Sequence, residues 1–154
     1  MATTTVTLSI ASTDLTTDAL SLSNTKNLFD AGTSTGMSQV EGVARKFLAG
    51  DASYPQNYVV GDASASKFTA NGATKIYIKN TSTVTSDYLT VIVGEDAGAG
   101  DGTYTGQELG RLYGGDFLFI PWTAVTSSTP DSDIIVQTPA NSLNQEVEYL
   151  IIFE

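Results

Sequence analysis

A chain of 154 residues with no cysteine and no histidine cannot form a disulfide, a thiolate nucleophile, or an imidazole acid–base or zinc site. Its 17 acidic and seven basic side chains give a formal net charge of −10, so phosphate backbones and anionic bilayers should repel it. No nucleic acid or membrane is therefore expected as a partner; no cofactor is expected either. Charged residues are only 16% of the chain, so its polar surface must be mostly Ser, Thr, Asn and Gly.

The length favours a single domain, residues 1–154, able to bury roughly 68–70% of its unfolded surface without a staple. Met1 runs straight into ATTTVTLSIAS, with no basic or long apolar leader, and no apolar run approaches the ~20 residues of a membrane span.

Residues 3–11 alternate Val6, Leu8 and Ile10 against Thr and Ser, the period of a half-buried strand. Residues 1–12 are expected to form an edge strand or an N-terminal arm reaching to a neighbour. Residues 14–22 are ambiguous, with a short strand expected over 19–23, and 30–38 read as loop. Residues 38–48 carry two signals. Ser38 and Glu41 have capping-box spacing, with Val40, Val43, Ala44 and Phe47 on one helical face. Gly42 and the alternation of Val43, Arg45 and Phe47 with Ala44, Lys46 and Leu48 favour a strand, which is the reading taken. Gly-Asp-Ala-Ser occurs at 50–53 and again at 61–64, which predicts two similar turns of a surface hairpin. A strand over 67–70 should turn at Asn71-Gly72, the strongest short hairpin signal, into the next strand.

Residues 75–121 form the centre of the pattern. Ile76 and Ile78 alternate with Tyr77 and Lys79, and NTSTVTSD (80–87) is turn chemistry. YLTVIV (88–93) is apolar on both faces, which implies a central strand or one covered by a partner. Residues 94–106 are too glycine-rich to hold a strand. Strands over 108–113 and 116–121 should meet as a hairpin at Gly114-Gly115, with Pro121 at a strand end or edge. Residues 123–132 are loop and DIIVQT (133–138) is a strand. EVEYLIIFE (146–154) sets Val147, Tyr149, Ile151 and Phe153 on one face and Leu150 and Ile152 on the other, implying a central position or an oligomer contact. Apolar runs shorter than a helix, broken by turns about every 8–12 residues, predict an all-β protein, an antiparallel β-sandwich of jelly-roll type.

No catalytic residue and no metal site is expected. Glu95, Asp96 and Asp101 could offer oxygens to calcium, but the EF-hand spacing is absent and a solvated loop is the simpler reading. Acidic residues are many, and nothing singles out the carboxylate pair a glycosidase requires. GRLYGG (110–115) lacks the lysine and following helix of a phosphate cradle. Asn80-Thr81-Ser82 fits a glycosylation acceptor pattern with little specificity. Trp122 could stack on a sugar or a neighbouring protein, the alternative being a strand-end anchor. Tyr54, Tyr58 and Tyr104 are a weak candidate surface. The interface candidates are Trp122, Tyr149, Ile151 and Phe153.

The series IYIKN, YLTVIVG, ELGRLYGGDFLFIPW, DIIVQTP and VEYLIIFE resembles the β-sandwich structural proteins of tailed-bacteriophage virions. The matching positions are Asn80, Leu112, Gly115, Asp116 and Phe117, and the resemblance covers about 75–154. It implies a virion component assembled in the host cytoplasm, with no catalytic residues to carry over. The expected function is a capsid decoration or cement protein binding the major capsid protein on the outer head. It would act as a homo-oligomer, with a trimer suggested by the threefold sites of shells. The alternative is a receptor- or glycan-binding module of a tail or fibre.

Overall fold

Among the described residues the period-two alternation folds into ten strands: β1 (Thr4–Ser12), β2 (Leu20–Leu28), β3 (Gln39–Leu48), β4 (Asn57–Gly61), β5 (Thr74–Asn80), β6 (Tyr88–Asp96), β7 (Tyr104–Tyr113), β8 (Phe117–Trp122), β9 (Asp133–Gln137) and β10 (Gln145–Phe153). The structure is a computed structural model that describes residues 4–13, 20–28, 39–65, 74–96, 102–124, 131–141 and 143–153. No helix occurs among these residues. The expected loop at 30–38, the strand and Asn71-Gly72 turn at 67–72, and Asp101 lie outside them.

Strands β3 to β10 form two four-stranded antiparallel sheets, ordered β3-β10-β5-β8 and β4-β9-β6-β7. The pairings are nested. β6 pairs with β7, β5 with β8, β4 with β9 and β3 with β10, as in one long hairpin with β6 and β7 innermost. Rolling that hairpin adds the β10–β5 and β9–β6 ladders and closes the sandwich. This is the jelly-roll order. Its core draws Ile76, Ile78, Val147, Ile151 and Phe153 from one sheet and Leu89, Val91, Ile134 and Val136 from the other.

The two strands that are apolar on both faces are central. β6 lies between β9 and β7, and β10 between β3 and β5. On the outer face of the second sheet, Ile92 and Ile135 stand opposite one another and are fully buried. Gly102 and Thr103, returning from β6, lie over that sheet. Their carbonyls accept hydrogen bonds from Gln137 Nε2 at 2.7 Å and Asn57 Nδ2 at 3.0 Å.

Three details differ from the sequence pattern. Glycine does not end β6 at residue 94, nor delay β7 beyond 106. Gly94 and Gly106 face each other across the ladder, and a methyl group on either would strike the opposing backbone. Here glycine permits close approach of two strands rather than breaking them. Second, Gly114-Gly115 does not join a hairpin pair, because β7 belongs to one sheet and β8 to the other. The turn is closed by Asp116 N donating to Tyr113 O at 2.8 Å, with Gly115 at φ +88°, the type II pattern. Third, the Gly-Asp-Ala-Ser tetrapeptides do form two similar turns, with Asp51 and Asp62 each accepting from the serine N–H two residues on. They flank the single strand β4 rather than a hairpin.

Asn80 fixes the crossover beside the 113–116 turn. Its side chain is fully buried, donates Nδ2–H to the Leu112 carbonyl at 3.0 Å, and accepts from Ser82 N–H at 3.0 Å. Its backbone N–H donates to Asp116 O and its carbonyl accepts from Gly115 N–H. One asparagine therefore satisfies backbone groups from both sheets where the chain leaves each. Replacing Asn80 by Ala would leave the Leu112 carbonyl and Ser82 N–H unpaired, at an expected cost of roughly 2–4 kcal/mol in chemical denaturation. Gly115→Ala is expected to cost about 1–3 kcal/mol through its positive φ. Gly114→Ala should cost more than Gly115→Ala, because its methyl group would meet the Val84 carbonyl, which is backbone and cannot swing aside.

Candidate functional site

The four interface candidates are occupied inside the chain. Ile151 and Phe153 point between the sheets and are buried with Trp122 in the core. The Trp122 indole N–H donates to the Ser132 carbonyl at 2.7 Å, and its ring lies against Gly61. It is the strand-end anchor of the sequence reading rather than a stacking platform. Tyr149 is half-buried against the core, its hydroxyl 2.8 Å from that of Tyr58 and the two rings 5.7 Å apart. Both-face apolarity in β10 reflects burial by the other sheet on one side and, on the other, a position where Ile152 is also covered.

The remaining candidates do not converge. Tyr58 is in β4 against the core, Tyr104 donates its hydroxyl to Glu108 at 2.9 Å in β7, and Tyr54 sits in the turn before β4. Burial and the neighbouring Glu108 carboxylate raise the Tyr104 phenol above its ordinary range. Glu95 and Asp96 end β6, and Asp96 accepts from Asn57 Nδ2 at 3.1 Å. Among the described residues no three acidic side chains are placed to hold a metal ion. Asn80 of the acceptor pattern is fully buried.

The unpartnered surface lies elsewhere. Among the described residues β1 and β2 pair only with each other. Their register puts Val6, Leu8 and Ile10 on one face with Leu22, Asn24 and Lys26, and a Thr/Ser/Asn ladder on the other. On that polar face Thr5 Oγ1 donates to Asn27 at 2.9 Å, and the Thr7 and Thr25 hydroxyls are 3.2 Å apart. An isolated two-stranded hairpin is marginal in water and needs something to cover its apolar face. Burial is graded along it. Leu28 at the base is 2% exposed, whereas Leu8 and Ile10 are 45% and Leu22 49% exposed.

The hairpin stands beside the edge strand β8. An apolar cleft of about 890 Å³ separates them, lined by residues 6–11 and 117–119. On the far side Phe117 is 59% exposed, its ring 6.1 Å from that of Tyr77. The base of the hairpin lies near β5. Burial, and secondarily the charge of Lys26, hold the Lys75 ammonium below its usual range. Farther across the same sheet, Arg45 bonds Glu148 at 2.9 Å and lies 3.5 Å from Glu146, between the exposed Val43 and Phe47. Sequence alternation located β1 correctly. Its exposure was not readable, because the same pattern serves a strand whose apolar face is covered.

Comparison with known proteins gives little. No protein-family model and no curated protein matches the chain. Among solved structures it is similar to one described as Bacillus endospore appendages that form disulfide-linked pili. The TM-score is 0.37 and the identity 13%, over 79% of this chain and 95% of that one.

The geometry makes Trp122 a folding residue. Trp122→Ala is expected to cost about 3–5 kcal/mol in chemical denaturation. Leu22→Ser, on the exposed hairpin face, should change stability by only about 0.5 kcal/mol, measured the same way.

Proposed function

We propose that the protein is a structural, non-catalytic subunit of a tailed-bacteriophage virion, a decoration protein that binds the outer head shell and braces it by non-covalent contacts. The observation that carries this reading is the β1–β2 hairpin, whose apolar face stays exposed beside a sandwich that has already buried its own core. A jelly roll is a frame used in viral capsid and lectin domains, and fold alone does not select between such roles. The chemistry of the chain narrows the choice. Histidine and cysteine are absent, Trp122 is buried, and Tyr54, Tyr58 and Tyr104 do not share a groove. The residues named for a tail or fibre glycan-binding module, Trp122 and the loop tyrosines, therefore do not favour that alternative.

In this reading the sandwich supplies rigidity, and the hairpin face with Phe117 supplies contact with the major capsid protein. Three copies would surround a threefold position of the shell. The net charge of −10 suits a place outside the shell, away from packaged nucleic acid.

The test is cosedimentation of the purified protein with phage heads lacking it. Saturable binding at fixed stoichiometry is expected. The double substitution Leu8→Asp, Ile10→Asp should weaken it at least ~10-fold, while the unfolding midpoint of the sandwich stays close to that of the native chain. Failure of the native protein to bind heads, or full binding by the double variant, would overturn the proposal.

A further inference from the structure

Among the described residues β8 pairs only with β5, and β1 only with β2, so each has one free ladder edge. Both border the cleft of about 890 Å³ between hairpin and sheet. Residues 6 to 11 line it without a break, and so do 117 to 119. Successive side chains of a strand point to opposite faces, so a wall of consecutive residues is a strand edge rather than a face. No described residue of β2 or β5 lines the cleft, so the edges turned toward it are the unpaired ones. Free edges are usually blunted by charge, a bulge or shortness. β3 carries Arg45 and Lys46, β7 carries Glu108 and Arg111 and its ladder slips at Leu109, and β4 has five residues. β1 and β8 have no charged side chain and no break in register, and Pro121 lies beyond the part of β8 that lines the cleft. Six extended residues span about 20 Å. Over that length a cleft of about 890 Å³ has a mean cross-section of about 45 Å², close to the roughly 4.8 by 10 Å that one strand occupies in stacked sheets.

We propose that this cleft is a strand-addition site, in which an extended segment of a partner protein enters between β1 and β8, bonds to both edges and joins the hairpin to the β3-β10-β5-β8 sheet. The occupant must have both of its own ladder edges free. Every described strand of a second copy is already paired on at least one side, so a folded copy's described strands cannot supply it. The occupant is therefore an unpaired segment of another protein, about six residues long to match the β1 wall. Its backbone supplies the bonds, and its alternate side chains supply the fit. On one side those side chains meet Leu118, which packs against the core and also lines a cavity of about 210 Å³ with Val91 and Leu112. Apolar residues at alternate positions would extend the core there. Acidic residues are disfavoured, because the chain carries a net charge of −10. The site stands whether or not the partner is a capsid protein, and its test needs no phage heads.

The test uses the native protein and a synthetic peptide of alternating threonine and valine with a lysine at each end. Titration reads the stoichiometry, and amide hydrogen exchange reads which segments become covered. Saturable binding of one peptide per chain is expected, with exchange slowed at least ~5-fold in residues 6–11 and 117–119 together. The same peptide with proline at two central threonines lacks donors for the ladders and should not bind. The proposal fails on any of three results: no saturable binding, slowing confined to one of the two segments, or slow exchange in both before peptide is added. The last result would mean that the gap is closed from within the chain or by a second copy. Peptide binding by a protein that ignores phage heads would uphold the strand site and refute the virion reading alone.

Discussion

A chain that steps from one sheet to the other at most of its turns must satisfy the backbone groups it abandons at each step. An unpaired buried N–H or C=O costs about 1–3 kcal/mol, so a sandwich cannot tolerate many. At one crossover Asn80 meets much of this need, with side-chain bonds to Leu112 and Ser82 and backbone bonds to Gly115 and Asp116, while the Asp116 carboxylate accepts the Tyr113 N–H. Ser132 and Asp133 do the equivalent between β8, β9 and the turn after β4. The nested pairing of β3 to β10 depends on such side chains as much as on the apolar core, because the core fixes which faces meet but not where a strand may leave its ladder.

The two junctions differ in kind. Asn80 is neutral and carries no ionisable group. Asp133 does the same structural task with an ionisable group among other acids. Gln145 shows the cost of incomplete pairing: it is buried at the start of β10, and neither its Oε1 nor its Nε2 has a hydrogen-bond partner. Buried amides in that condition are commonly satisfied by an ordered water.

Against this closed sandwich, the β1–β2 hairpin is the part whose sequence is left energetically incomplete. Its threonine and asparagine ladder is internally paired, and its base is held through Leu28, yet Leu8, Ile10 and Leu22 keep nearly half their surface in water. β-Branched and leucine side chains in that position favour association over solvation. The acidic net charge opposes indiscriminate self-association, so an exposed apolar strand pair can persist on such a chain without immediate aggregation.

The five positions that the sequence reading singled out as a motif, Asn80, Leu112, Gly115, Asp116 and Phe117, are largely those of the Asn80 crossover. Asn80 bonds Leu112, Gly115 and Asp116, and Phe117 begins the strand that follows. The string therefore encodes a turn between sheets, a structural device, and says by itself nothing about what the surface binds.

Local chemistry determined the all-β class, the approximate positions of most described strands, the type of turn that glycine and aspartate build, and the absence of imidazole and thiol chemistry. Each depends on a period of two or on one residue's own side chain. Tertiary structure alone decided which sheet a strand joins, so that Gly114-Gly115 became a crossover and Gly94 with Gly106 a close contact of paired strands. It also decided which apolar residues are spent on the core. Trp122, Tyr149, Ile151 and Phe153 pack inward while Leu8, Ile10 and Phe117 stay exposed, because burial depends on what lies opposite a strand, and alternation records only that one face differs from the other.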